Sequence, residues 1–186
     1  MFSDIINDSN DLVWNALEFA TYQHRLQRRK GYEHLPYINH PIAVAGILKR
    51  FGETEAELIA AALLHDVLED TNSTPREIEN RFGAHIKEIV LEVTDDMSLP
   101  SAERKALQVI HASTLSDKAK KIKIADKTAN TLDIFRFPLS WSPSKKKHYI
   151  TWAGEVVKEC CGVNKALEEY FFTVAEECMK KLVQEN

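Results

Sequence analysis

The stretch "AALLHDVLED", residues 61–70, ends an apolar run in one imidazole and three carboxylates. A helix that only buries leucines gains nothing from His65, Asp66, Glu69 and Asp70 in its last turns. Consecutive side chains on a helix point about 100° apart, so His65 and Asp66 can bind one ion from two sides. Glu69 and Asp70 each follow one of that pair by a helical turn, near enough to serve a water at the ion. The spacing therefore indicates metal-assisted hydrolysis.

Two separate segments offer ligands that could complete a metal shell. His40 stands in "YINHP", directly before Pro41, which is predicted to start a helix, and Asp126 follows an apolar stretch in "IKIADKTAN". Two imidazoles and two carboxylates bind a divalent cation and leave coordination positions open for water and substrate, as hydrolysis requires. Any one of these residues alone is more often a helix cap or a satisfied polar group. The set favours a metallohydrolase, because neighbouring carboxylates repel one another without structural benefit.

The composition limits the classes of protein to consider. The 186 residues are 44% hydrophobic, enough for one core, and we expect a single domain over residues 1–186. With 24 Lys and Arg against 28 Asp and Glu, the chain has no long-range attraction for DNA, RNA or an anionic membrane. No apolar run approaches the roughly 20 residues that span a bilayer, and "MFSDIINDSN" does not resemble a signal peptide, so we expect a cytoplasmic protein. The three cysteines, Cys160, Cys161 and Cys178, lack zinc-ligand spacing and fit a reducing compartment.

The apolar pattern predicts an all-α fold of about nine to ten helices, because apolar residues recur with helical period and no strand-like alternation competes. Thr54 with Glu57 predicts a capping box that opens a helix running through Asp70. Segments 31–41 and 135–144 are predicted to be working loops, because prolines interrupt both. The other predicted boundaries are caps at Thr74, Ser116, Ser142 and Asn164 and glycine stops at Gly52, Gly83 and Gly162.

Four blocks of the sequence resemble a known family. "PYINHP", "AALLHDVLEDT", "RFGAHIKEIVLEVTDD" and "IKIADKTANTLDI", in this order and at these separations, resemble the hydrolase domain of the RelA/SpoT alarmone enzymes. The His65–Asp66 pair with the distant His40 and Asp126 is similar to the signature of the HD superfamily of metal-dependent phosphohydrolases. The resemblance covers residues 24–162 and leaves no room for a synthetase domain. It therefore implies a stand-alone small alarmone hydrolase with an HD-type helical fold.

The resemblance implies a role for each group of candidate residues. It implies one divalent ion per chain, Mn²⁺ in this family, held by His40, His65, Asp66 and Asp126. Glu69 and Asp70 match the acidic pair beside the attacking water, and the sequence leaves open which of them transfers the decisive proton. Arg29 and Lys30 match a basic pair that approaches the nucleotide.

Three further positions match the substrate pocket. Asn130 matches an asparagine of the base and sugar pocket, and Tyr149 aligns with a tyrosine that contacts substrate. Lys145 opens a run of three lysines that is either a solvated face or a contact to phosphate. Long enzymes of the family often follow the asparagine with a methionine and an arginine, whereas Leu132 stands here at the arginine position. Loss of that cation predicts weaker discrimination between the bases of guanosine and adenosine substrates.

The expected activity is removal of the 3′-pyrophosphate from guanosine tetra- or pentaphosphate, giving GDP or GTP, with adenosine analogues left open as substrates. The expected partner is thus a small nucleotide, and neither a nucleic acid nor a membrane. Two alternatives remain: an HD phosphatase for another nucleotide such as NADPH, and a catalytically inactive nucleotide-binding module. The intact acidic pair favours an enzyme, because a binding module does not need to activate water. The sequence leaves the oligomeric state open.

Overall fold

The regular structure of the protein is helical. The computed structural model describes residues 9–29, 35–136 and 140–184. Apart from one isolated β-bridge between Arg28 and Pro36, these residues contain no strand. They form ten helices: α1 (Ser9–Gln23), α2 (Asn39–Arg50), α3 (Ala56–Leu64), α4 (Val67–Asp70), α5 (Pro75–Phe82), α6 (Ala84–Val93), α7 (Ser101–Ala112), α8 (Asp117–Arg136), α9 (Pro143–Cys160) and α10 (Lys165–Gln184). The all-α prediction is confirmed, and within these ranges no helix is long and apolar enough to cross a bilayer.

Helix α8 is the element around which the others pack. It contacts α2, α6, α9 and α10, and every residue from 122 to 129 is buried. A helix that is covered on all sides has no polar face, so the charged residues it carries must find partners inside the protein. Lys123, Asp126 and Lys127 are such residues. The burial of α8 thereby brings charged groups into the interior.

Two apolar clusters hold the helices together. The larger one joins α1, α2, α3, α6 and α8 through fully buried side chains such as Leu48, Leu64 and Ile122. The smaller one lies where the end of α8 meets α9 and α10, around Ile134 and Ile150. Each fully buried leucine or isoleucine stabilises the fold by about 1.5–3 kcal/mol. This packing fixes the relative positions of α2, α3 and α8.

Most of the predicted helix boundaries are confirmed. Thr74 accepts a hydrogen bond of 3.2 Å from the N–H of Glu77, and Pro75 is the first residue of α5. Gly83 ends α5 with a φ of 89°, a left-handed conformation that suits glycine. Gly52 and Gly162 also have positive φ. The remaining caps accept hydrogen bonds from N–H groups three residues ahead: Ser116 from Ala119, Ser142 from Lys145 and Asn164 from Leu167.

The helix predicted from Thr54 through Asp70 is wrong at its start. Helix α3 begins at Ala56, and its N-cap residue is Glu55, which makes no side-chain capping hydrogen bond. Glu57, the other half of the predicted capping box, instead forms an ion pair of 3.0 Å with Lys118 at the start of α8. Glu57 thus contacts a distant segment of the chain instead of capping its own helix. Similarly, α2 begins at Asn39 rather than Pro41, so His40 lies within its first turn.

The same predicted helix is also interrupted in its middle. Helix α3 ends at Leu64, and α4 starts at Val67 after a turn formed by His65 and Asp66. Asp66 has φ −96° and ψ −4°, away from ideal helical values. Nδ1 of His65 lies 2.8 Å from the carbonyl oxygen of Ala62, which holds the imidazole in one orientation. The interruption therefore coincides with the two residues that the sequence predicts to bind metal.

Candidate metal centre and active site

Three of the predicted ligands converge on one buried point. His40 comes from α2, His65 from the turn between α3 and α4, and Asp126 from α8, and their potential ligand atoms lie within 4.8 Å of one another. Oδ1 of Asp126 is 3.1 Å from Nε2 of His40 and 3.9 Å from Nε2 of His65. All three residues are buried. The apolar packing of α2, α3 and α8 thus brings together side chains that are far apart in sequence.

Asp66, the fourth predicted ligand, reaches the same point. Its Oδ2 lies 3.5 Å from Nε2 of His40 and 3.0 Å from Nε2 of His65. The same oxygen accepts a hydrogen bond of 2.8 Å from the hydroxyl of Tyr37, which fixes the orientation of the carboxylate. The structure therefore places two imidazole nitrogens and two carboxylate oxygens around one centre.

The state of His65 provides a test of whether these residues fit a cation. The carbonyl oxygen of Ala62 can only accept a hydrogen bond, so Nδ1 of His65 carries a proton and Nε2 is the nitrogen that faces the centre. Burial acts to lower the pKa of His65, but the carboxylates of Asp66 and Asp126 beside Nε2 raise it to about 9. The centre therefore favours a positive charge between its carboxylates, and a bound divalent cation would supply one. Two imidazoles with two carboxylates are ligands that a divalent transition metal accepts, so the site fits such an ion.

Asp126 is held ionised by its neighbours. Lys127 donates a hydrogen bond of 3.0 Å to Oδ2, and the amide of Asn130 donates one of 2.5 Å to Oδ1. Burial acts to raise the pKa of Asp126, but the Lys127 ammonium and the His40 imidazole hold it well below its usual range. The residue is therefore a carboxylate with a fixed orientation, as a metal ligand must be.

A cavity of about 280 Å³, called here the metal cavity, opens onto this centre. Acidic, basic and aromatic side chains line separate parts of its wall. The wall includes Glu69, Asp95, Arg104, Lys105, Lys123, Lys127, Asn130, Tyr37, Tyr149 and Trp152. A polyanion can thus meet both the metal centre and several cations in one space.

The structure separates the two residues of the predicted acidic pair. Glu69 lines the metal cavity, and its Oε2 accepts a hydrogen bond of 3.1 Å from the backbone N–H of Asp95. Burial, with the nearby carboxylates of Asp66 and Asp95, raises the pKa of Glu69 to about 7. Asp70 is exposed, lies outside the metal cavity and accepts a hydrogen bond of 3.0 Å from Gln27. Of the predicted acidic pair, Glu69 is the residue that lines the metal cavity.

A second cavity of about 250 Å³, called here the adjacent cavity, shares Tyr37, Asn130 and Tyr149 with the metal cavity. Its other lining residues include Asp70, Trp141 and Arg28. The rings of Trp141 and Tyr149 are 5.9 Å apart between centroids. Aromatic faces together with polar edges suit a nucleoside.

The predicted substrate residues are placed differently from one another. Arg29 lines the adjacent cavity, donates to Oδ2 of Asp133 at 3.0 Å and also donates to Asn130. Lys30 lies outside the described residues. Lys145 lines neither cavity, and its ammonium lies 4.5 Å from the centroid of the Trp141 ring. Lys145 therefore contacts a wall residue of the adjacent cavity and not the cavity itself.

Leu132, the residue on which the expected weaker discrimination between bases depended, does not line either cavity. It packs against the smaller apolar cluster instead. The neighbouring Asp133 lines the adjacent cavity and is paired with Arg29. The charged group that this segment presents to the adjacent cavity is thus the Asp133 carboxylate.

Several residues of the site were missed from the sequence. Tyr37 and Lys127 stand inside the quoted blocks beside predicted ligands, so adjacency was a signal that could have found them. Asp95 also stands inside a quoted block, whereas Arg104 and Lys105 had no such signal, because α7 resembles any exposed charged helix. Their approach to the centre depends on how α7 packs against α9.

An all-helical fold that brings His, His-Asp and Asp from three segments to one buried centre defines the class of HD-domain phosphohydrolases. A family model described as "HD domain" matches residues 16–134, more than half of the chain, and the protein belongs to this family. The predicted membership is confirmed.

Individual relatives match over most of their length. The chain is 50% identical over 159 residues to guanosine-3′,5′-bis(diphosphate) 3′-pyrophosphohydrolase MESH1 of Xenopus tropicalis, covering 84% of this chain and 89% of that protein. The protein of the same name from Homo sapiens is 49% identical over 156 residues, covering 83% and 87%. A solved structure described as a metazoan ortholog of SpoT that hydrolyses ppGpp has a TM-score of 0.85 and 39% identity, covering 89% of this chain and 94% of that one.

Proposed function

We propose that this protein hydrolyses the 3′-pyrophosphate of guanosine 3′,5′-bis(diphosphate) to GDP and pyrophosphate, and the pentaphosphate to GTP and pyrophosphate. The observation that carries the proposal is the buried convergence of His40, His65, Asp66 and Asp126 at the floor of a cavity with basic walls. The names and activities of the relatives support the same substrate. Mn²⁺ is the ion we propose, on the resemblance to the RelA/SpoT hydrolases.

His40, His65, Asp66 and Asp126 would hold the divalent ion, which would supply Lewis acidity toward the phosphoryl oxygens and toward a water. The protein itself supplies the orientation. The Tyr37 hydroxyl holds Asp66, the Ala62 carbonyl holds the His65 imidazole, and Lys127 with Asn130 holds Asp126. Three of the four proposed ligands are therefore held by a second group before substrate arrives.

Glu69 is the residue we propose to accept the proton of the attacking water. Its carboxylate faces the metal cavity and is held by the Asp95 N–H, and its pKa of about 7 matches a general base at neutral pH. Asp70 is assigned to the substrate side, because it lines the adjacent cavity.

The nucleoside is proposed to occupy the adjacent cavity. Arg29, Asn130 and Tyr149 line it, and Trp141 adds an aromatic face. Asn130 also contacts Asp126, so the group that meets the sugar would also contact the metal shell. Lys30 and Lys145 remain predicted contacts to phosphate.

Chromatography of the products tests this function. Purified protein loaded with Mn²⁺ should convert guanosine tetraphosphate to GDP and intact pyrophosphate. Release of two separate phosphates, or no turnover by the metal-loaded protein, would contradict the proposal. The adenosine analogue remains a predicted second substrate, and comparison of its specificity constant with that of the guanosine compound tests this prediction.

The compartment remains a prediction. We propose a reducing, cytoplasmic location, and the three free thiols at Cys160, Cys161 and Cys178 support it. The oligomeric state, and the expected lack of nucleic-acid and membrane partners, are likewise open to test.

A further inference from the structure

We propose that Lys105 on α7 binds the outer phosphate of the leaving diphosphate, so that the α7–α8 side of the metal cavity is a diphosphate-binding wall. The inference deepens the proposed function and depends on it for the identity of the leaving group. It assigns a role to a helix that none of the quoted sequence blocks includes. The cationic side chains that line the metal cavity differ in whether they already have a hydrogen-bond or ion-pair partner.

Three of the four cations that line the metal cavity are engaged within the protein. The ammonium of Lys127 is hydrogen-bonded to Asp126 at 3.0 Å. Lys123, which is buried, donates at 2.8 Å to the carbonyl oxygen of Val93, at the end of α6. Arg104 lies 3.8 Å from Oε1 of Glu69. Each of these three cations therefore already has a hydrogen-bond or ion-pair partner within the protein.

Lys105 is different. Within the ranges that the structure describes, no carboxylate lies within the 4.0 Å of an ion pair from its ammonium. The ammonium instead lies 4.9 Å from the centroid of the Trp152 ring and 6.0 Å from that of Tyr149. Partial burial lowers the pKa of Lys105, and repulsion from Lys127 and Lys145 lowers it further. The residue thus sits in a region of excess positive charge that an anion would relieve.

The position of Lys105 is held by the fold. The indole N–H of Trp152 donates a hydrogen bond of 3.0 Å to the backbone carbonyl of Lys105, which ties α7 to α9. The ammonium of Lys127 also lies near this indole, 4.6 Å from the centroid of the Trp152 ring. One indole ring therefore lies beside both ammonium groups. A diphosphate that meets Lys127 beside the metal centre can extend toward Lys105.

The arrangement of the two cavities indicates the direction in which the substrate extends. The adjacent cavity, with Trp141 and Arg29, lies on one side of the shared residues Asn130 and Tyr149, and the metal cavity lies on the other. A nucleoside in the adjacent cavity sends its 3′ substituent past these shared residues toward the metal centre. Lys105 then meets the phosphate beyond the one that is attacked.

Calorimetric binding of inorganic pyrophosphate to the Mn²⁺-loaded protein tests the inference without turnover. Lys105→Met should weaken this binding by about tenfold or more, because one charged hydrogen bond to phosphate is lost. Lys105→Arg should retain most of it. Lys165→Met is the matched control, since Lys165 is exposed on α10, has 88% of its side chain accessible and changes the net charge equally. Equal pyrophosphate binding by Lys105→Met and Lys165→Met would overturn the inference.

Kinetics with a shortened substrate provide a second, independent measurement. Guanosine 5′-diphosphate 3′-monophosphate lacks the outer 3′ phosphate, so Lys105→Met should reduce kcat/KM for the tetraphosphate about tenfold more than for this analogue. Inhibition by GDP should stay unchanged. Equal loss on both substrates would mean a general structural effect and would overturn the assignment.

The two proposals fail in different ways. If wild-type protein does not cleave the tetraphosphate but Lys105→Met still weakens pyrophosphate binding, the proposed substrate is wrong and the diphosphate wall stands. If wild-type protein cleaves the tetraphosphate and the variant binds pyrophosphate normally, the proposed function stands and the role of Lys105 is wrong.

Discussion

At the scale of single residues, the candidate site depends on pairs in which one residue is a ligand and the other fixes it. Ala62 determines which nitrogen of His65 carries the proton, and Tyr37 holds Asp66. Asn130 has two roles, because it donates to Asp126 and accepts from Arg29. A substitution in such a pair therefore affects metal affinity even where the substituted residue is not a ligand.

Removal of one ligand should abolish metal binding and activity together. His65→Ala or Asp126→Ala removes one of only four protein ligands, and the remaining three leave a buried charge imbalance. Metal content after dialysis and turnover of the tetraphosphate would be measured on the same samples. His85→Ala is the control, because this histidine is exposed on α6. Full activity in either ligand variant would exclude the proposed centre.

Glu69 and Asp70 should differ in their effects. Glu69→Gln should retain the ion and lower kcat by about 10²- to 10⁴-fold, the contribution typical of a general base. Asp70→Asn should change KM more than kcat, because Asp70 faces the adjacent cavity. Steady-state kinetics with a metal assay distinguish the two. Loss of metal from Glu69→Gln would make Glu69 a ligand instead.

The pH profile provides a further check on Glu69. Its pKa is raised to about 7, mainly by burial, and only the deprotonated carboxylate can accept a proton. The kcat/KM of the wild type should therefore fall as the pH decreases through the neutral range. The residual activity of Glu69→Gln should lack this limb, and a limb that persists unchanged would assign it to another group.

At the scale of elements, function depends on where helices stop. The interruption between α3 and α4 falls at His65 and Asp66, whose side chains face one centre. The predicted Thr54 cap failed because Glu55 and Glu57 pair with Lys118 of α8. Charge pairing between helices has therefore determined where α3 begins.

The connection between α9 and α10 offers a test of a helix end. Oε1 of Glu168 accepts backbone N–H groups of Gly162, Val163 and Asn164, each at 2.9 Å. Glu168→Ala should lower the free energy of unfolding by about 1–2 kcal/mol, whereas Glu168→Gln, which keeps an acceptor oxygen, should cost less. Urea unfolding at pH 7 measures both. Equal losses in the two variants would contradict a capping role.

The same contact has a pH dependence of known sign. These three N–H donors lower the pKa of Glu168, although burial acts to raise it. A lowered folded-state pKa means that the carboxylate stabilises the fold above its unfolded pKa of about 4.3 and loses this effect as the pH falls through the folded value. The difference between wild type and Glu168→Ala should therefore shrink in acid.

At the scale of the whole molecule, the metal centre links helices that are distant in sequence, so metal binding and folding are coupled. Mn²⁺ should raise the free energy of unfolding by about 2.7 kcal/mol at a concentration of 100 Kd. His65→Ala should show no such shift in calorimetry. The predicted single domain over residues 1–186 requires one cooperative transition, and two transitions that separate with metal would contradict it.

The candidate metal ligands and most of the helix ends could be predicted from the sequence alone. Ligand types, the His65–Asp66 spacing and the local caps such as Thr74 and Ser142 depend on residues only a few positions apart. Their physics is local, so it can be predicted without a fold. The four metal-ligand candidates were all named in this way, and the structure brings them together.

The partners of the charged side chains, and the cavity that each one lines, depend on the packing of the helices. Glu69 and Asp70 are neighbours in the chain, yet Glu69 lines the metal cavity beside Arg104, whereas Asp70 lines the adjacent cavity beside Gln27. Lys105 lies on α7 beside the Trp152 ring of α9 and near Lys127 of α8, and among the described residues no carboxylate forms an ion pair with it. A pKa, an ion pair and a cavity wall depend on groups that meet across the core, so the spacing of residues along the chain does not determine them.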